Sequence, residues 1–269
     1  MLEEEILDKA VSYIINDSPK ILKTGFIDLD EILSNVEYGS LITIASTPSM
    51  GKTSFIISVL YNLLRNKEKC LLFTIEDSKL MFIRRMLLQI AEISVSACFL
   101  NKLTEDNIAK INTVKDELKH YDLTAVDNVI DIEEIEEKIN KQRPRFVFID
   151  SLDYLYGFSS NVLKRLKMIA EYNECIIFNT CELPNYEIEQ REDKRPLLFD
   201  LRKLGKADII SDVVLFIYRE CYYNKDDYVN PNSAEIIAAK NSFGAFGSVS
   251  LSFKPEFRKF YSLPQIDTF

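Results

Sequence analysis

One histidine, His120, stands in 269 residues, so a histidine-based triad or zinc site has almost no material to work with. The five cysteines, at positions 70, 98, 175, 181 and 221, are odd in number and nowhere spaced C-x-x-C. They read as small core hydrophobes in a reducing compartment. Positive charge is also scarce. Lys and Arg number 33 against 42 Asp and Glu, a formal net charge of −9. That excludes a surface coated with cations for duplex DNA, but leaves room for a local basic channel. No apolar run reaches the roughly 18 residues of a membrane span. The opening MLEEEILDKA has no hydrophobic signal core. A soluble, cytoplasmic protein with no membrane partner is the expectation.

What is present is ordinary globular composition, 47% apolar and 28% charged, enough for one large α/β domain or two small ones. Residues 3–16 carry apolar positions at helical spacing, and the turn-rich NDSPK detaches them from the rest of the chain. They are read as a linker-like helix, leaving residues 21–269 as the main domain. Within it, strands alternate with helices. Strands are expected at 41–45, 70–75, 123–127, 145–150, 175–179 and 212–217. Helices are expected at 53–65, 78–93, 104–119, 131–141 and 161–172. Residues 234–240, 247–253 and 258–263 read as antiparallel edge strands. The alternation predicts parallel βαβ units with helices on both sheet faces.

Between the first strand and helix lies IASTPSMGKTSFI, residues 44–56. It ends as a phosphate-binding loop ends, in Gly51-Lys52-Thr53, but has Ser46 where G-x-x-x-x-G-K-[ST] places its first glycine. Serine is small and suffices there if the backbone needs no positive φ. The candidates to surround the phosphates are Ser46, Pro48, Ser49, Met50, Gly51, Lys52, Thr53 and Ser54. Lys52 would reach the β- and γ-phosphates, and Thr53 would hold Mg²⁺. Asp150, at the end of the apolar RFVFID, suits the second acid of a metal-bound phosphate; otherwise it is a strand-capping aspartate. Glu76 ends CLLFTI, expected beside the loop strand, and suits a general base; otherwise it opens the next helix.

Seven stretches run in order: TGFIDLDEIL, IASTPSMGKTS, LLFTIED, FVFIDSLDYL, REDKRPLLFDLRKLG, DVVLFIYRE and AEIIAAKNSFGAFGSVSLSF. Together they resemble the C-terminal motor domain of DnaB-type replicative helicases over about residues 21–263. The Pro-Ser-Met-Gly-Lys-Thr loop without the first glycine is a habit of that family. The resemblance implies a RecA-like α/β P-loop ATPase fold, with a mainly parallel central sheet flanked by helices and antiparallel C-terminal strands. It implies ATP and Mg²⁺ at subunit interfaces, a homo-oligomeric ring of six, single-stranded DNA through its centre, and other replication proteins as partners. By position, Lys52 and Thr53 fall on the Walker A pair, Glu76 on the catalytic glutamate and Asp150 on the Walker B aspartate. Arg202, Lys203 and Gly205 fall in the DNA-contacting loop, and Arg195 belongs to the same basic stretch. Lys240 falls on the lysine that reaches a neighbour's γ-phosphate.

The departures are specific. The family carries an N-terminal domain where this sequence has only the linker-like helix. The trans arginine finger of the family's Lys-x-Arg is Ser242 here, with Arg219 or Lys240 alone as substitutes. The γ-sensing glutamine is Glu182, in Cys181-Glu182-Leu183, and Lys203 stands where the family has a glutamate. The loop after Asp150 is short. Turnover is therefore expected to be slow. The leading reading is a helicase motor. An ATP-binding paralogue acting in assembly or regulation is the rival. A RecA-like recombination or clock-type ATPase sharing TGFxxLD is more remote, because the Pro-Ser-Met loop speaks against it. The basic residues 191, 194, 195, 202, 203 and 206 form either a channel lining or a solvated, salt-bridged face.

Overall fold

The computed structural model describes residues 7, 8, 11, 22–224 and 230–263. The helix expected at 3–16 falls outside these, apart from the first three residues named. Nine strands form one sheet: β1 (Leu41–Ser46), β2 (Cys70–Thr74), β3 (Leu123–Asp127), β4 (Phe146–Asp150), β5 (Ile176–Glu182), β6 (Val213–Tyr218), β7 (Ser233–Asn241), β8 (Gly247–Lys254) and β9 (Lys259–Ser262). Their spatial order is β3-β2-β4-β5-β1-β6-β7-β8-β9. The first six pair in parallel, and β7, β8 and β9 continue the sheet antiparallel.

The parallel strands are apolar on both faces because both faces are covered. In β1, Ile42 and Ile44 enter one core and Leu41 and Ala45 the other. The same alternation sends Leu72, Phe148 and Phe178 to the first face and Leu71, Val147 and Ile177 to the second. Phe148 and Phe178 stack across β4 and β5 with centroids 4.9 Å apart. Buried polar groups join the centre: Thr43 bonds the Ser211 hydroxyl at 2.6 Å, and Asn179 donates to the Ile42 carbonyl at 3.1 Å.

The helices start where local chemistry caps them. The Ser78 hydroxyl accepts the Met81 amide ahead of helix Lys79–Ile90, and Thr104 with Asn107 makes a capping box ahead of Glu105–Leu118. The helix expected to reach residue 93 stops at Ile90, and a separate short helix, Val95–Phe99, comes after it. Glu92, in the left-handed region at φ 54°, makes the break. β5 runs three residues past its expected end, to Glu182, because β1 continues to pair with it up to Ser46. The polar segment 181–208 contains short helical turns at Asn185–Glu189, Leu198–Lys203 and Ala207–Ile210. Cys70, Cys175 and Cys181 are core residues, but Cys98 and Cys221 are only half-buried. Burial pushes the Cys175 thiol up to about 12.

Candidate active site

β1 delivers the loop to the C-terminal edge of the sheet, next to β5 and β6. Ser46 is the last strand residue, fully buried, and is not among the positive-φ positions. The turn is made further on, by Ser49 at φ 63° and Gly51 at φ 108°. A Cβ on Gly51 would sit 3.1 Å from the Phe260 ring, so both backbone and space require glycine there. The chain then enters the 14-residue helix Lys52–Arg65, which has no acidic residue in its first turn. Its N-terminal amides are thus free of carboxylates from that turn and point where an anion would lie. Behind the loop, Phe55 stacks on Phe26 at 5.4 Å and meets Phe260 edge-on at 5.8 Å. This aromatic block anchors the helix to the C-terminal hairpin.

The loop opens into a crevice of about 580 Å³, the size of a small-molecule site. Lys52, Thr53, Glu76 and Glu182 line one end. Met81, Arg84, Arg85 and Phe99, from the segment after β2, and Arg219, Phe253, Pro255 and Phe257, from the segments after β6 and at β8, complete the lining. Asp150 is 4% exposed, accepts the Thr180 hydroxyl at 2.7 Å and lies within hydrogen-bonding reach of Thr53. Burial raises its pKa, against the pull of Thr180, Thr53 and Lys52. Glu76 is raised too, first by burial and then by the charge of Asp150. A carboxylate raised in this way is a better proton acceptor than a free one.

Glu76 does not arrive there as expected. β2 is not beside β1; β4 and β5 lie between them. Glu76 reaches the crevice because its segment wraps over the end of β4, where the Ile75 and Glu76 amides donate to the Asp150 carbonyl at 2.7 and 3.3 Å. On that side the neighbour of β1 is β5, and the residue it brings to Lys52 is Glu182, 3.5 Å away. Of the loop candidates, Met50 points its side chain into the core, so only its backbone can serve a phosphate. The Ser54 carbonyl accepts the Gln89 amide at 2.9 Å, tying the loop helix to helix Lys79–Ile90. Pro48 is half-buried, and Ser49 is exposed and lines the crevice.

Lys240 sits opposite Val214, near the start of β6, and donates to the Asp208 and Ile209 carbonyls at 3.1 and 2.9 Å. Burial lowers its pKa. It stands some four residues, about 13 Å, from the loop edge of its own sheet, and it is absent from the lining of its own chain's crevice. Ser242 lies at the same end, its amide donating to the Asp212 carbonyl at 2.9 Å. Arg219 does not join them. It stands at the loop end, 4.1 Å over the Phe253 ring, with one contact to the Ser49 carbonyl at 3.5 Å. It is therefore a cation that lines its own chain's crevice. Its Nε is buried without a partner, and burial lowers its pKa.

Most of the basic stretch is paired with acids. Arg202 meets Asp208 at 3.7 Å, Lys203 bonds Glu187, and Arg191 bonds the buried Asp200. Arg195 is held apart from them, 2.8 Å from Glu235 and stacked on Tyr218. Gly205, at φ 65°, presses against the Ser159 backbone, where a Cβ would lie 2.9 Å away. Sequence reasoning missed Asp153 and the Arg219–Phe253 wall. Asp153 accepts the Ser151 hydroxyl at 2.6 Å and the Glu182 amide at 2.8 Å. The sequence signal for it is a third acid close behind Asp150.

A parallel sheet whose central strand feeds a glycine-lysine-threonine helix start, with a buried aspartate and a raised glutamate facing it, defines a RecA-like P-loop ATPase. More narrowly, the chain belongs to the DnaB-like helicase C terminal domain family, whose profile matches residues 22–262. It is 31% identical to the replicative DNA helicase DnaB of Geobacillus stearothermophilus over 258 residues, 90% of this chain and 56% of the relative. It is 30% identical to a probable plasmid replicative DNA helicase of Chlamydia psittaci, over 86% of this chain and 53% of that one. The chain thus spans little more than half the length of the curated relatives it matches. Among solved structures, an isolated ATPase domain superposes with a TM-score of 0.88 at 27% identity, covering 97% of this chain and 98% of that one. A DnaB-like replicative helicase, solved in work on its interactions with primase, gives 0.87 at 28%, covering 97% of this chain and 68% of that one. No helix of the described residues is long and apolar enough to cross a membrane.

Proposed function

We propose that this chain is the motor of a DnaB-type replicative helicase, which hydrolyses ATP to move along single-stranded DNA as a homo-hexameric ring. The convergence of Lys52, Thr53 and Glu76 in one crevice, with Asp150 buried behind it within hydrogen-bonding reach of Thr53, carries the reading. The open helix start, the Gly51 turn and the Lys52 ammonium fit a phosphate chain. Thr53 and Asp150 fit Mg²⁺, which asks for only one or two protein oxygens besides phosphate and water. When bound, that ion supplies charge neutralisation at the phosphoryl oxygens. Glu76 would take the proton of the attacking water. The Arg219–Phe253 wall would receive the remainder of the nucleotide.

Lys240 would act on a neighbour's site, a role that its distance from its own crevice supports. Ser242 has no guanidinium to add, and such a group contributes around 10³–10⁵ in rate where it is present. Turnover is accordingly slow. Residues 21–269 make up the motor, with 1–20 as the lead-in linker. Arg202, Lys203 and the turn at Gly205 would meet the DNA backbone. Other replication proteins would dock on the assembled ring. The rival reading, a nucleotide-binding assembly factor, is not favoured, because the two acids needed for hydrolysis are retained and face the loop. Steady-state ATPase with and without single-stranded DNA tests the proposal. DNA-stimulated turnover abolished by Lys52→Ala and by Glu76→Gln supports it; nucleotide binding with no turnover under either condition refutes it.

A further inference from the structure

We propose that Glu182 sets the nucleotide preference of the crevice: its carboxylate claims the Lys52 ammonium that a terminal phosphate needs, and so weakens triphosphate binding relative to diphosphate. The inference rests on the nucleotide reading above and concerns how that site discriminates.

The sheet itself places the residue. Glu182 is the Cα partner of Ser46 in the β1–β5 ladder, and the next amide, Leu183, donates to the Ser46 carbonyl at 2.9 Å. Its own amide donates to Asp153 at 2.8 Å, and Asp153 is held in turn by Ser151. The backbone at 182 is thus tied on both sides, and only the side chain is at liberty. Lys52 has two acceptors, the Ser46 carbonyl at 3.3 Å and Glu182 Oε2 at 3.5 Å. The side chain of Lys52 is 11% exposed and that of Glu182 is 51% exposed. The glutamate can therefore swing out to water, while the lysine stays in the crevice.

The competition falls unevenly on the phosphates. The helix-start amides hold the inner phosphates without help from Lys52. The lysine serves the outer ones. Glu76 lines the same crevice, Asp153 accepts the Glu182 amide beside it and Asp150 is buried at the end of β4, so negative charge is already gathered around the ammonium. A fourth carboxylate in direct contact with Lys52 leaves least positive charge for the third phosphoryl group, which also brings the most negative charge of its own. Glutamine at 182 would have the same shape, no charge, and an amide able to donate.

The full chain, with Mg²⁺, is titrated with ADP and with a non-hydrolysable ATP analogue. Glu182→Gln is expected to tighten the analogue about two- to fivefold and ADP by less than about 1.5-fold, as suits a half-exposed charge. Glu182→Ala, which removes the charge without adding a donor, shifts the ratio the same way by about twofold. An unchanged ratio in both variants overturns the proposal. A shift confined to Glu182→Gln assigns it to the new amide and overturns the charge argument. If the wild-type chain binds neither nucleotide, the nucleotide reading itself falls; if ADP binds and the ratio does not move, only the role of Glu182 does.

Discussion

Replacing Asp150 by asparagine should make the protein more stable and less able to hold a magnesium nucleotide. The carboxylate is 4% exposed, and its pKa is raised, so the folded state disfavours its ionised form relative to the unfolded chain. Between the unfolded and the raised folded pKa, the native state binds the extra proton, so stability falls as pH rises through that window and stays low above it. At neutral pH the ionised Asp150 is a standing cost. Asparagine keeps the shape and still accepts the Thr180 hydroxyl, which donates over 2.7 Å in the wild type. What it loses is the attraction of Lys52. A tenfold change in proton affinity corresponds to about 1.4 kcal/mol. A buried charge replaced by a neutral isostere at a functional position is worth about 1–2 kcal/mol. For a domain of this size that is about 2–6 °C in Tm. Differential scanning fluorimetry from about pH 8 down to about pH 5 measures it, and the gap should narrow as the wild-type carboxylate takes up its proton. Adding ADP with Mg²⁺ should reverse the order, because only the wild type gains from the ion. An Asp150→Asn protein less stable than the wild type at neutral pH would refute the claim that burial outweighs Lys52 and the two threonines.

Three other sets of substitutions probe separate parts of the account. Gly51→Ala forces a side chain into φ 108° against Phe260. It should cost about 1–3 kcal/mol in chemical denaturation and abolish nucleotide binding in the same preparation. Ser242→Arg should raise DNA-stimulated turnover by at least about tenfold if the missing cation limits the rate, measured by steady-state ATPase. Arg202→Ala and Lys203→Ala should each lower the salt slope of single-stranded DNA binding by about 0.7. Arg195→Ala should lower that slope less, because its side chain is less exposed than the other two and is held by both Glu235 and Tyr218. Fluorescence anisotropy over a salt series distinguishes them.

The parts of the site that are legible from residues are those coded by neighbours in the chain. Gly51-Lys52-Thr53 between an apolar strand and a helix, and Asp150 at the end of another strand, carry their context within about ten residues. The tolerance of Ser46 has the same origin, since the strand conformation there asks for no glycine. Strand order is not coded locally, which is why Glu76 is expected next to the loop strand when β4 and β5 intervene. The consequence is chemical: the strand beside Lys52 is the one that ends in Glu182. The Arg219–Phe253 wall joins residues more than thirty positions apart in the chain to a loop another 170 away, and no periodicity reports such contacts. The pairing of the basic stretch is within reach of the sequence, because Glu187, Asp200 and Asp208 stand among its cations. Alternating charge in one segment reads as an ion-paired face before it reads as a channel.

Cocrystallisation of the full chain with Mg²⁺ and a non-hydrolysable ATP analogue is the sharpest test of the nucleotide site. A triphosphate is expected on the helix start at Gly51–Thr53, with the ion between Thr53 and Asp150 and Glu76 facing the terminal phosphate. A crevice without nucleotide at saturating analogue, or one with Glu76 and Asp150 turned away from it, would refute the nucleotide site.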